Sequence, residues 1–211
     1  MPRRSYDQYC PLSRALDVVG ERWTLLIVRE LLTGPRRYTD LHADLPGVST
    51  DVLAARLKEL ERDGLVARRR LPPPASAAVY EATPRGESLL PALTALAEWG
   101  AAELPAEPGP TDALRAHWFA LPLARWIADL AAGHEGAVNI RLDEGTFHVL
   151  LGPGGPRYGQ GPAERPGAVL TLSGQACLAV AKGTASLPEL LANGQADVDG
   201  DGPLTEALRG A

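Results

Sequence analysis

Between Arg56 and Arg70 the chain carries six positive residues (Arg56, Lys58, Arg62, Arg68, Arg69 and Arg70) against three negative ones (Glu59, Glu61 and Asp63). Such a stripe can meet a polyanion whatever the net charge of the molecule, because binding responds to the local field. Cys10 is a second candidate for chemistry. Arg14, one turn on, favours its thiolate and Asp7 opposes it, so an activated thiol and an unreactive buried cysteine both stand as readings. Three further patterns resemble sites and fail on spacing. Asp197-Val198-Asp199-Gly200-Asp201-Gly202 opens like a calcium loop, but its twelfth position is Leu208 where a bidentate Glu is needed. Asp201 is expected instead to cap a closing helix. Gly152-Pro153-Gly154-Gly155 lacks the Gly-Lys-Ser/Thr that completes a phosphate loop. His42, His117, His134 and His148 stand far apart, without metal-ligand spacing. No nucleophile, base and orienter form a set, so no metal, no cofactor and no enzyme activity are expected.

The stripe needs elements to present it. Pro11 suits the first turn of a short helix, where its missing N–H needs no partner. Leu12, Ala15, Leu16 and Val19 share one face of that helix and Gly20 ends it. Residues 23–33 form an apolar helix stopped by Gly34-Pro35, a third helix spans about 38–45, and Pro46-Gly47 turns the chain. Ser49 then caps a fourth helix to about Asp63, with Leu53, Leu57 and Leu60 as its core stripe and Gly64 as its end. The opposite face presents Ser49, Thr50, Asp51, Ala54, Ala55 and Lys58. Residues 65–71 and 78–82 read as two strands with a Pro-rich tip, and Thr83-Pro84 opens one long helix to about Leu104. A short helix, a tight turn, a second helix and a β hairpin describe a winged helix-turn-helix, whose second helix can enter a major groove. The plain alternative is a compact helical domain with solvated arginines.

Pro105-Ala106-Glu107-Pro108-Gly109-Pro110 cannot continue a helix, so residues 8–104 and 111–211 are expected as two domains joined by linker 105–110. The first half is electrically balanced and the second carries the whole net charge of −5, which argues against a polyanion surface there. With 45% hydrophobic and 22% charged residues the chain can bury a core. No apolar run approaches the roughly 18 residues of a membrane span, and no secretory signal is expected, because the first residues lack its apolar run and small-residue cleavage site. Two cysteines cannot form a disulfide framework, so a reducing, cytoplasmic setting is expected.

The second half reads as small α+β. Thr111-Asp112 is expected to cap a helix through Leu114, Trp118 and Leu121, broken or kinked at Pro122 and continued by Leu123, Trp126, Ile127 and Leu130. Val138, Ile140 and Leu142 alternate with Asn139 and Arg141 as a half-buried strand, and strands follow at 146–151, 168–172 and 196–199. Helices are expected from Ser173 to Lys182, over 187–192 and over 203–209. The fold class is thus a mainly α winged helix-turn-helix domain followed by a small α+β domain.

Cys10-Pro11-Leu12 and the run from Leu16 through Gly20-Glu21-Arg22-Trp23-Thr24 to Ile27 resemble the opening of the HxlR-type winged-helix regulators, relatives of the MarR group. Gly34-Pro35-Arg36-Arg37-Tyr38, Leu45-Pro46-Gly47-Val48-Ser49, Leu53 to Leu60, Asp63-Gly64-Leu65-Val66, Tyr80 to Gly86 and Trp99-Gly100 continue the resemblance in order. It implies a homodimeric transcriptional regulator, with terminal helices at the dimer interface and the fourth helix reading double-stranded DNA at a pseudo-palindromic operator. It places Ser49, Thr50, Arg56 and Lys58 on the recognition helix, Arg37, Tyr38 and Thr39 on the helix before it, and Arg68, Arg69, Arg70 and Ser76 on the wing. It also makes Cys10 a redox candidate. Two residue types depart from the pattern. Asp51 would repel phosphate, or accept from a cytosine amino group, and the wing tip is proline and alanine rather than basic. Arg56 reads equally as a bridge to Glu59. Strand 168–172 through Lys182-Gly183, Leu190-Leu191, Gly194 and Gly200-Asp201 resembles a sterol-carrier-protein-type domain, which implies a cavity for a hydrophobic small-molecule effector with Trp118, Trp126 and Phe147 as pocket candidates. The alternative function is a hydrophobic-ligand carrier or interaction protein whose winged helix serves mainly to dimerise.

Overall fold

The computed structural model describes residues 5–73, 77–105 and 107–210. Its contacts divide the chain after Leu90 into two units. Among the described residues no helix is long and apolar enough to cross a membrane.

The first unit holds α1 (Pro11–Val19), α2 (Thr24–Leu31), β1 (Arg36–Arg37), α3 (Tyr38–Asp44), α4 (Thr50–Arg62), β2 (Val66–Arg70), β3 (Ala78–Ala82) and α5 (Pro84–Glu87). Its sheet has the order β1-β3-β2, all antiparallel. Ile27, Leu31, Leu41, Leu53, Leu57 and Leu60 are fully or almost fully buried, so the helical period of the apolar residues is what gathers this core. Gly47 adopts φ +88° in the turn closed by Val48 N–H to the Leu45 carbonyl at 3.1 Å. Helix α4 ends in a Schellman arrangement. Leu65 N–H reaches the Leu60 carbonyl at 2.9 Å and Gly64 N–H the Glu61 carbonyl at 3.1 Å, with Gly64 at φ +70°.

The short strand β1 has no apolar alternation and escapes a reading by period. The expected single helix from Thr83 is two: α5 stops at Glu87 and α6 runs from Leu90 to Ala101. Pro91, which the period argument overlooks, has no N–H for the Glu87 carbonyl and its ring crowds that group, so the helix must restart.

The second unit takes in the rest of α6, a 3-10 turn (Ala116–Phe119), α7 (Ala120–Leu130), β4 (Gly136–Leu142), β5 (Gly145–Leu151), β6 (Arg157–Gln160), β7 (Ala168–Leu172), α8 (Gly174–Ala181), α9 (Leu187–Ala192), β8 (Ala196–Asp199) and α10 (Pro203–Arg209). The sheet order is β6-β5-β4-β7-β8, with β4 and β7 parallel and the other pairs antiparallel. Val138, Ile140, Phe147, Val149 and Leu170 are buried on this sheet, and Leu123, Ile127, Cys177 and Leu208 on the helices. Asn139 is buried as well, not solvated, because its side-chain oxygen accepts from Ala163 N–H at 2.8 Å. His148 Nδ1 likewise meets the Gly161 carbonyl at 2.9 Å, so the segment after β6 is held to the strands it follows.

Three local expectations are corrected. Asp112 caps no helix; it accepts from Gly109 N–H at 2.7 Å, and helical structure begins at Ala116. Pro122 does not break α7 but sits in its first turn, where no intrahelical N–H bond is lost. Gly202, not Asp201, is the cap residue of α10, and it provides no side-chain bond. Strand β6 was hidden in a Gly/Pro-rich stretch because a four-residue edge strand needs little apolar pattern.

Candidate nucleic-acid interface

Helix α4 offers a built face. Ser49 is its N-cap, with its side-chain oxygen accepting from Val52 N–H at 3.3 Å. Burial of Leu53, Leu57 and Leu60 on one side leaves Ser49, Thr50, Asp51, Ala54, Ala55 and Lys58 exposed on the other. Lys58 carries no ion pair with a described residue, so its ammonium is available to a ligand. Arg56 is placed differently. Its guanidinium lies 2.5 Å from Glu59 and 3.7 Å from Glu21, the structural role that the sequence left open.

The preceding helix braces this face. The Tyr38 hydroxyl donates to the Thr50 carbonyl at 2.7 Å, and its ring stacks on His42 with centroids 6.5 Å apart. Arg36, almost buried, pairs with Asp44 at the far end of α3. Arg37 and Thr39 are exposed at the start of α3; the Arg37 backbone N–H donates to Asp40 at 3.2 Å and the Thr39 hydroxyl to the same carboxylate at 3.3 Å. Trp23 takes φ +77° as the cap of α2, a conformation that costs a non-glycine residue about 1 kcal/mol or more. Its indole lies 3.8 Å from where a Cβ on Gly47 would stand, and the Arg22 guanidinium lies 5.3 Å from the ring centroid. The turn between α3 and α4 therefore lies beside the Trp23 ring.

On the wing, Arg68, Arg69 and Arg70 are all exposed on β2. Arg69 is paired with Glu81 at 3.0 Å, and Arg68 lies 5.8 Å from the Tyr80 ring centroid. Glu81 was legible in principle: with Ala67 opposite it in the hairpin register, Arg69 is its diagonal neighbour. Ser76 lies outside the described residues.

Cys10 is the N-cap residue of α1 and only partly covered, not the buried cysteine of one sequence reading. Hydrogen bonding to the Ser13 backbone, then to that of Leu12, pulls its thiol below the ordinary value. Cys177 is the opposite case: burial, reinforced by the charge of Glu144, pushes it up to about 12. In the second unit Phe147 is fully buried on β5, while Trp118 on the 3-10 turn and Trp126 on α7 are half-buried.

Two helices joined by a tight turn, with the second capped and open on one face and followed by an arginine-bearing hairpin, make the first unit a winged helix-turn-helix. The profile of the HxlR-like helix-turn-helix family matches residues 18–108. The uncharacterized HTH-type transcriptional regulator YvaP of Bacillus subtilis is 39% identical over 94 residues, covering 44% of this chain and 87% of YvaP. The HTH-type transcriptional regulator YodB of the same organism is 35% identical over 103 residues, covering 48% of this chain and 90% of YodB. The uncharacterized HTH-type transcriptional regulator YtfH of Escherichia coli is 36% identical over 100 residues, covering 47% and 79%. The chain belongs to the HxlR-like helix-turn-helix family.

Proposed function

We propose that the protein is a homodimeric, sequence-specific regulator of transcription that binds double-stranded DNA. The observation that carries this reading is the exposed face of α4, capped by Ser49, braced by Tyr38 and bearing Lys58, in a unit that also exposes Arg37 and the wing arginines. Backbone N–H groups and small polar side chains at a helix start suit phosphate and base edges. Arg37, Thr39, Ser49, Thr50, Lys58, Arg68 and Arg70 are the proposed contacts. Tyr38, Arg56 and Arg69 serve the interface through their partners within the protein.

Self-association is supported by apolar residues left uncovered on two helices: Leu12 and Leu16 on α1, and Leu96 and Trp99 on α6. The operator is then pseudo-palindromic, with half-sites about 34–36 Å apart. The second unit is proposed as a sterol-carrier-like domain that holds a hydrophobic effector near Trp118, Trp126 and Phe147; its α+β layering supports this. A bound effector acts only if it favours one spacing of the two recognition helices over another. Cys10, with its lowered thiol, is the proposed redox-responsive group.

Footprinting on a selected duplex, with protein mass measured in solution and on DNA, tests the dimer. Two protected half-sites one helical turn apart with two protomers per duplex are expected. A single protected half-site with one protomer per duplex would contradict it.

A further inference from the structure

Asp51 is an exposed carboxylate in the first turn of α4, on the side away from the buried Leu53, Leu57 and Leu60. Its side chain makes no hydrogen bond or ion pair with any described residue. Ala54, Ala55 and Lys58 share its exposed face, because positions three, four and seven apart line up on a helix. That face therefore runs from a carboxylate, across two methyl groups, to an ammonium. The alanines let the backbone approach a surface closely. The backbone around Asp51 is fixed from both sides, by the Ser49 cap on Val52 N–H and by the Tyr38 hydroxyl on the Thr50 carbonyl.

Resting on the reading of α4 as the helix that enters the major groove, we propose that Asp51 reads sequence by accepting a hydrogen bond from the exocyclic amino group of a cytosine in each half-site. An ionised carboxylate has only acceptors, so the phosphates repel it and it needs a donor. The major-groove edges offer donors at the amino groups of cytosine and adenine. Adenine sets its amino group beside N7, an acceptor, which opposes a carboxylate and suits an amide. Cytosine presents its donor without that acceptor. The helix macrodipole also favours a carboxylate in a first turn, but that role requires no base preference.

Selection of duplexes from a random-sequence library with the full chain, followed by binding to duplexes changed at single positions, separates the two roles. The wild type is expected to enrich a site with cytosine at one symmetric position of each half, and exchanging that pair weakens binding about tenfold. Asp51→Asn, which keeps the size and polarity of the side chain, moves the preference at that position from cytosine to adenine. Asp51→Ala flattens it and leaves the flanking positions unchanged. Identical motifs for the wild type and Asp51→Ala overturn the inference, even if the variant binds every duplex more tightly, since only charge repulsion would then remain. A wild type that enriches a motif without this cytosine overturns it as well. A wild type that enriches no motif overturns the regulator reading beneath it, and the inference with it.

Discussion

Tyr38 has one proton to donate, and it goes to the Thr50 carbonyl at 2.7 Å. A hydrogen bond of this kind contributes about 1 kcal/mol net, so Tyr38→Phe should lower affinity for a specific duplex roughly fivefold while binding to scrambled DNA stays unchanged. Equal losses on both duplexes would instead make the hydroxyl a phosphate contact. Two of the three cations of α4, Lys58 and Arg56, separate in the same way. Lys58→Ala should reduce the slope of log affinity against log salt by about one, because one phosphate contact is lost. Arg56→Ala should change it much less, since Glu59 and Glu21 already hold that guanidinium. Equal reductions would mean that Arg56 leaves its carboxylates for DNA. The cysteines differ by their surroundings. Brief alkylation at neutral pH should mark Cys10, whose thiol is lowered, before the buried Cys177. Labelling in the opposite order would contradict that assignment. Cys177 keeps its proton in the native state to about pH 12, against 9.0 when unperturbed. Its contribution to stability is therefore complete below pH 9 and falls as pH rises toward 12.

The wing hairpin shows how an element sets the charge it offers. Glu81 pairs with Arg69, so Glu81→Gln should free that cation, raise affinity for scrambled DNA and steepen its salt dependence. No change in either quantity would place Arg69 away from the DNA. Much of this architecture was legible in the sequence. The Leu53, Leu57 and Leu60 stripe, the Ser49 cap and the Gly64 stop locate α4 because period, cap and breaker agree there. Strands β5, β7 and β8 alternate in burial, whereas β4 stands where its apolar residues were read but buries Asn139 between them. What escaped the reading lies where one residue outweighs a pattern: Pro91 divides α5 from α6, Pro122 joins a first turn, and β1 and β6 are too short to show a period. For the candidate site, exposure of the α4 face was legible from periodicity. The partners of Tyr38, Arg56 and Arg69 were harder to place, because two of those three bonds, Tyr38 to Thr50 and Arg69 to Glu81, join residues twelve apart.

At the scale of the whole molecule, the net charge of −5 belongs to the second half, and the balanced first half carries the exposed cations of Arg37, Lys58, Arg68 and Arg70. The proposed function therefore rests on those cations and on base contacts, not on the average field of the molecule. Contact with phosphate alone is lost steeply as salt rises, whereas base contacts distinguish one sequence from another. Fluorescence-anisotropy titration of the full chain against duplexes tiled across the region upstream of its own gene, with scrambled duplexes as controls and at two salt concentrations, tests the central claim most directly. The expected result is tight binding to one tile that persists at the higher salt while the scrambled duplexes are released. Equal, steeply salt-dependent binding to every duplex would contradict sequence-specific regulation through α4.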